Sequence, residues 1–300
     1  MPNHAWVSCI SGRFHLNGFA LWHQDRLHYV DAPKGSLNSF RPGAAPQCDL
    51  SLPVLLSAVA PVVDSPGEWI VAADRGIARI GPGGAQQWLA RPDQHTRPRV
   101  WMNGAACDRE GRFWVTSTAA GGRPGAGSLY RVDRDGSVHK VLRGLSVDGG
   151  PAFSLGGSTL YLADSSRRAV SAYEVDPASG EITGAGEFIR LTHRDGSPSG
   201  LAVDDQDCVW VGLQGSGRIH CYTPAGRLRT RVDLPASHPT GIAFGDRHIY
   251  VTTALYGHQA SDPWAGRILM RPSRVTAPAA AAFRPKAACP ADGWRTGWES

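Results

Sequence analysis

The sequence predicts an all-β chain, a six-bladed β-propeller whose ring is closed by an N-terminal strand. Three observations predict it. The 300 residues include 36 glycines and 22 prolines, which long helices tolerate poorly and which suit short strands joined by turns. Hydrophobic residues make up 42% and charged residues only 19%, enough apolar surface for a large core and too much for a disordered chain. A short strand carrying an apolar or aromatic anchor then recurs six times, in RLHYVD, GEWIVAA, GRFWVTS, STLYLAD, DCVWVGL and RHIYVTT. Its anchors, Tyr29, Ile70, Trp114, Tyr161, Trp210 and Tyr250, are separated by 41, 44, 47, 49 and 40 residues. Strand and turn alternating at such a period mark propeller blades.

The elements follow in order. AWVSCIS (5–11) precedes the first full repeat and is expected to supply the strand that closes the ring and protects its edge. Each anchor strand is preceded by a turn rich in Gly, Asp or Gln, such as DREG, SLGG and DDQD. A further strand ending in a turn follows each: SLNSFRPG, GIARIGPGG, SLYRVDRDG, AVSAYEVDPASG, GRIHCYTPAG and GRILMRPS. The sixth copy ends near residue 273, so the propeller is assigned to residues 1–275. Residues 276–300 are Ala/Pro-rich and outside the period. They are expected to form a loosely packed or disordered tail, with Trp294 and Trp298 as available anchors.

The formal charge of +5 is carried almost wholly by scattered arginines, since Lys34, Lys140 and Lys286 are the only lysines. No basic run and no nucleic-acid motif accompanies it, so it reads as a solvated surface. No apolar run approaches the roughly 18–20 residues of a membrane span. The start, MPNHAWVSCISGRF, has no secretory pattern, and the six cysteines form no CxxC pair and read as small reduced core residues. The expected partner is therefore a small-molecule substrate, with no nucleic acid and no membrane. The expected state is a cytoplasmic monomer or weak homo-oligomer.

In a propeller the innermost strand of every blade starts at the central channel, so equivalent positions ring its mouth. Counting back 10 to 12 residues from each anchor gives Gly18, Val59, Asn103, Gly149, Ser199 and Thr240. Around these positions the chain resembles the senescence-marker-protein/gluconolactonase/luciferin-regenerating-enzyme family of six-bladed propellers. The segments that carry the resemblance are NGAACDREGRFWVTST, GSLYRVDRDGSVHKVLRGL, SGLAVDDQDCVWVGLQGSGRI, HPTGIAFG and IYVTTALYGHQASDPWAGRI, together reaching over roughly residues 14 to 272.

The resemblance implies one divalent cation at the mouth and lactone hydrolysis, the metal polarising the carbonyl and activating water. The implied ligand positions are a Glu at Gly18 (LNGFALW), an Asn at Gly149 (VDGGPAF) and an Asp at Ser199 (SPSGLAV). The substrate-side Asn survives as Asn103, its neighbouring Asp is Gly104, and an Arg common in sugar-acid lactonases is Trp101. A hard cation wants several oxygen ligands, usually with carboxylates among them, and this ring offers none. The expectation is no cofactor and no metal site, a divalent cation being the disfavoured alternative. A one-residue offset, which a turn can absorb, would bring Asn17 and Asp148 into the ligand places instead.

Chemistry without the metal then falls to the residues beside the ring. Asp148 reads as a general base, because an apolar mouth raises a lone carboxylate toward neutrality. Asp-Gly-Gly is also an ordinary turn sequence, and both readings stand. His238 reads as the complementary acid or as a solvated loop histidine, and Asn103 as a donor to a developing oxyanion. Trp101, Met102, Asn17, Phe19, Ser199, Thr240, His193 and Tyr256 are the candidate substrate-binding residues, with Asp195 and His258 near them. Trp101 and Met102 make the mouth more apolar than a sugar-lactone site, so a larger or aromatic substrate is expected. Ser199 lacks the G-x-S-x-G context of a hydrolase nucleophile.

Three functions follow. The first is a metal-independent enzyme of this propeller family acting on a hydrophobic small molecule by acid–base chemistry. Its reaction would be ring-opening hydrolysis, or cyclisation or isomerisation in a biosynthetic pathway, as in strictosidine-synthase-like propellers. The second is a conventional divalent-metal-dependent, gluconolactonase-like hydrolase. The third is a non-catalytic small-molecule-binding propeller.

Overall fold

All six anchors fall on the second strand of a four-stranded antiparallel sheet, and six such sheets surround one channel. The computed structural model describes residues 5–14, 18–93, 95, 97–119, 123–255 and 261–286. From the channel outward, blade 1 is β2(Ala20–His23), β3(Arg26–Asp31), β4(Ser36–Phe40) and β5(Gln47–Ser51). Blade 2 is β6(Leu56–Pro61), β7(Trp69–Ala73), β8(Gly76–Ile80) and β9(Gln86–Ala90). Blade 3 is β10(Val100–Cys107), β11(Phe113–Ala119), β12(Gly127–Val132) and β13(Val138–Leu145). Blade 4 is β14(Val147–Phe153), β15(Thr159–Asp164), β16(Ala169–Val175) and β17(Ile182–Arg190). Blade 5 is β18(Ser197–Val203), β19(Val209–Gln214), β20(Arg218–Tyr222) and β21(Leu228–Asp233).

Blade 6 shows how the ring closes. Its inner strands are β22(Pro239–Gly245), β23(His248–Thr253) and β24(Ile268–Pro272), and its outermost strand is the N-terminal β1(Val7–Ser8). Val7 pairs with Met270 and Ser8 with Leu269, so the two ends of the ring are joined within one sheet, as expected from AWVSCIS.

The anchors earn their period by cross-strand pairing. Each stands opposite an alanine of the innermost strand: Ala20↔Tyr29, Ala60↔Ile70, Ala106↔Trp114, Ala152↔Tyr161, Ala202↔Trp210 and Ala243↔Tyr250. The large partner fills the space between blades, while the small one keeps the channel open. All six anchors are buried, and truncating an aromatic one to alanine would cost about 3–5 kcal/mol. The two tryptophans carry a polar atom that must be satisfied. Trp114 Nε1 donates to Asp108 Oδ2 and Trp210 Nε1 to Asp204 Oδ2, both at 2.8 Å. The Asp of DREG and of DDQD is thereby a structural residue of the turn, six positions before its tryptophan.

The Ala/Pro-rich segment departs from the loose packing expected of it. Over residues 276–286 it is docked on the blades: Phe283 is 1% exposed, sits in the core between blades 2 and 3, and pairs in parallel with Val62. Withdrawing the Phe283 side chain's apolar surface from water fixes a run that has no periodic pattern of its own. Trp294 and Trp298 lie outside the described residues. No described helix is long and apolar enough to cross a membrane.

Candidate active site

The inner strands enclose a cavity of about 480 Å³ that takes in the channel from its mouth to the opposite end. Its waist is the ring of six alanines, one from each blade. At the mouth, most inner strands break register: between Met102 and Ala105, Gly149 and Ala152, Pro198 and Leu201, Pro239 and Gly241, and Leu56 and Ala58. A bulge unpairs residues from the ladder and re-aims them, which is how sheet residues come to face a channel. Asn103, Ser57 and Thr240 lie at such breaks and line the cavity.

The same breaks bring neighbouring inner strands edge to edge. A Cβ on Gly104 would lie 2.0 Å from the carbonyl oxygen of Gly150, and one on Gly149 would lie 1.8 Å from that of Ser199. Only glycine fits either place. Hydroxyls reinforce the contact: Ser57 Oγ donates to Met102 O at 2.7 Å, and Ser199 Oγ bonds to Pro239 O at 2.6 Å and Gly212 O at 3.1 Å. Gly149 and Ser199, two of the ring positions, are thus committed to joining blade to blade, and Gly104, beside Asn103, with them.

The predicted site residues divide accordingly. Trp101, Asn103, Phe19 and Thr240 line the cavity together, with Thr240 Oγ1 3.1 Å from Thr252 Oγ1. Ser199, expected to bind substrate, is 1% exposed and its hydroxyl is turned into the wall between blades 5 and 6. Met102, also expected there, is buried in the core between blades 2 and 3, because the strand alternation that exposes Trp101 turns its neighbour inward. His193 is exposed on a 3-10 turn (His193–Asp195) and is not among the described cavity-lining residues, and Asp195 closes that turn. Hydrogen bonds from the Thr192 hydroxyl and amide hold Asp195 below the usual carboxylate range. His238 is half-buried with Nδ1 3.0 Å from Ser237 Oγ, beside the described cavity wall rather than on it. The backbone of Asp148 lies in β14, directly before cavity-lining Gly149. Asn17, Tyr256 and His258 lie outside the described residues.

Several wall residues have no counterpart among those predictions. Ser57, not Val59, is the blade 2 member of the ring: it stands three residues before Ala60, as Asn103 stands three before Ala106. Aligning the repeats on their alanines would have found it. Thr118 and Gln214 reach the mouth from the ends of β11 and β19, and Arg109 lies at the opposite end in the turn after β10. Arg109 is the only charged side chain among the described wall residues. Cys107 also lines the wall, but burial, helped by the adjacent Asp108, pushes its thiol well above its ordinary value, so it is no thiolate nucleophile at neutral pH.

Two of the described ring positions offer a hard divalent cation no ligand. Gly149 has no side chain and no room for one, and the Ser199 oxygen is spent on two carbonyls; by the spacing that places Ser57, the blade 1 position is Asn17, three before Ala20 and outside the described residues. Among the described residues the single close group of metal-type ligands is Asp204, Cys208 and Cys221 in blade 5. It lies off the cavity wall, and the Asp204 carboxylate there already accepts from Trp210 Nε1 and from the Gln206 and Cys208 amides.

Six four-stranded sheets around one largely apolar channel define a six-bladed β-propeller. The chain belongs to the SMP-30/gluconolactonase/LRE-like family, whose profile matches residues 19–255. It is 30% identical over 245 residues to pentonolactonase XacC of Haloferax volcanii, covering 78% of this chain and 80% of that protein. To the L-arabinolactonase of Azospirillum brasilense it is 31% identical over 190 residues, 61% of this chain and 63% of that one. In fold it matches the solved calcium-binding protein regucalcin from Agrobacterium tumefaciens with a TM-score of 0.86 at 22% identity, over 94% of this chain and 98% of that one.

Proposed function

We propose that this chain is a metal-independent enzyme of the lactonase-like family that opens the ring of an apolar, lactone-class small molecule. The observation that carries the reading is the closed part of the ring: Gly149 and Ser199, two of the positions where a cation would be held, are committed to blade-to-blade contacts. The lactonase names of the relatives support the reaction type, and a wall of alanines, Phe19 and Trp101 supports an apolar substrate over a sugar acid. Asp148 is assigned the base and Asn103 the oxyanion donor. Water adds to the lactone carbonyl as Asp148 takes its proton, and the Asn103 amide donates to the oxygen that gains charge. Collapse breaks the ring C–O bond, the proton passes to the ring oxygen, and a hydroxy acid leaves.

The test is hydrolysis of an aryl lactone such as dihydrocoumarin, against gluconolactone, by protein stripped with chelator. Undiminished turnover of the aryl lactone is expected, with Asn103→Ala lowering kcat by about 10²–10³. Activity that vanishes with chelator and returns with Ca²⁺, alongside about one bound ion per chain, would sink this reading in favour of the conventional lactonase. The absence of a carboxylate among the described wall side chains favours a second reading, a binding propeller. Ligands that bind but are never turned over would establish it.

A further inference from the structure

We infer that residues 277–282 are the floor of the binding channel, a strap that makes it blind and sets how long a ligand it holds. The argument starts from topology. In a ring of six blades, blades 2 and 5 face each other across the axis. At one end of the strap the Asp205 amide, in the turn between β18 and β19 of blade 5, donates to Thr276 O at 3.0 Å. At the other end Phe283 is fixed to blade 2, its amide donating to Pro61 O at 2.8 Å and its carbonyl accepting from the Val63 amide at 2.9 Å. The chain then continues onto blade 3, where the Arg284 amide donates to Gly111 O at 2.9 Å and the Lys286 amide to Arg134 O at 2.7 Å.

The segment between must therefore cross the axis. Seven steps of nearly extended chain reach roughly 25 Å, which suffices. Except for the pairs at Lys286, these contacts fall on turns that follow inner strands, the end of the channel away from Trp101 and Asn103. Ala277, Pro278, Ala279, Ala280 and Ala281 all line the same cavity as those two residues. The composition suits a floor: methyl side chains and a proline present an apolar surface and take little of the channel's volume. Gly111 shows how closely the strap is seated, because a Cβ there would lie 2.3 Å from Arg284 Cβ. The family match ends at residue 255, so the strap lies beyond the part of the chain it shares with the family profile.

The ligand class, an apolar molecule entering from the mouth, rests on the reading above; the floor itself does not. The test therefore uses straight-chain primary alcohols, which contain no lactone, and measures their binding by calorimetry. Affinity to the wild-type chain is expected to rise about fourfold per methylene until the chain end meets the floor, and then to level off. Ala280→Trp raises the floor while leaving Thr276 and Phe283 in place, and should move the plateau to alcohols several methylenes shorter without weakening the shortest. A chain truncated after Val275 should show no plateau at that length. A plateau unchanged in a folded Ala280→Trp protein overturns the proposal. So does an equal loss at every chain length, or no alcohol binding by the wild type. Alcohol binding with the expected plateau but no lactone turnover would keep the floor and remove the hydrolase.

Discussion

The resemblance assigns Gly149 and Gly18 alike to cation-ligand positions, although the alanine spacing moves the blade 1 position to Asn17, and the surroundings of the two glycines differ. A Cβ at Gly149 would lie 1.8 Å from the Ser199 carbonyl oxygen, whereas a Cβ at Gly18 meets nothing within 4 Å. Gly149→Asn is therefore expected to destabilise the fold by about 1–3 kcal/mol, the cost of overpacking a rigid contact, and Gly18→Glu to leave it unchanged. Thermal denaturation of the two proteins reads this directly; equal Tm values would show that the inner strands yield more than their packing implies. The sequence showed that both glycines were exceptional, but not that they differ. That difference is a distance between two blades about fifty residues apart in the chain.

At the scale of the element, blade 5 illustrates both what a repeat reveals and what it hides. The spacing from Asp204 to Trp210, matched by Asp108 and Trp114, marks the turn before the second strand of blades 5 and 3 and was open to reading in DDQDCVW and DREGRFW. The inner strands were harder. Their bulges place Asn103 and Ser57 on the channel, while Met102, still paired with Ser117, keeps the alternation that turns it inward, and counting residues back from an anchor cannot locate a bulge.

Blade 5 also predicts an acid response. His220 in β20 is buried with Nδ1 3.0 Å from Tyr222 Oη. Burial, partly offset by Asp195, holds the ring below its ordinary value of 6.5. The unfolded chain therefore binds this proton more tightly than the native one. The stability His220 allows is complete above about pH 6.5 and falls as the pH drops through the range below it. Denaturant unfolding from pH 7.5 to 5 should show the decline, and His220→Gln should flatten its slope. A slope identical in the two proteins would assign the acid sensitivity elsewhere.

At the scale of the molecule, ring closure rests on very little chain. β1 contributes two residue pairs, Val7↔Met270 and Ser8↔Leu269, followed by the Cys9 amide donating to Ile268 O at 3.0 Å. Removing residues 1–8 leaves β24 as an open edge and is expected to cost on the order of 2 kcal/mol, a shift of several degrees in Tm. An unchanged Tm would show that the remaining contacts of blade 6 close the ring unaided.

The number of blades, their strand order and the closing strand follow from local pattern, because each blade repeats the same apolar anchor, small partner and turn. A period of this kind is written along the chain and needs no knowledge of the ring. The channel is different. Its floor is made by an Ala/Pro-rich run that carries no periodic signal, and its mouth by glycines whose constraint comes from the next blade. Both depend on which parts of the chain the closed circle brings face to face. Blades 2 and 5 become opposite walls only once six blades have closed on each other, and only then does a six-residue strap have a channel to cross.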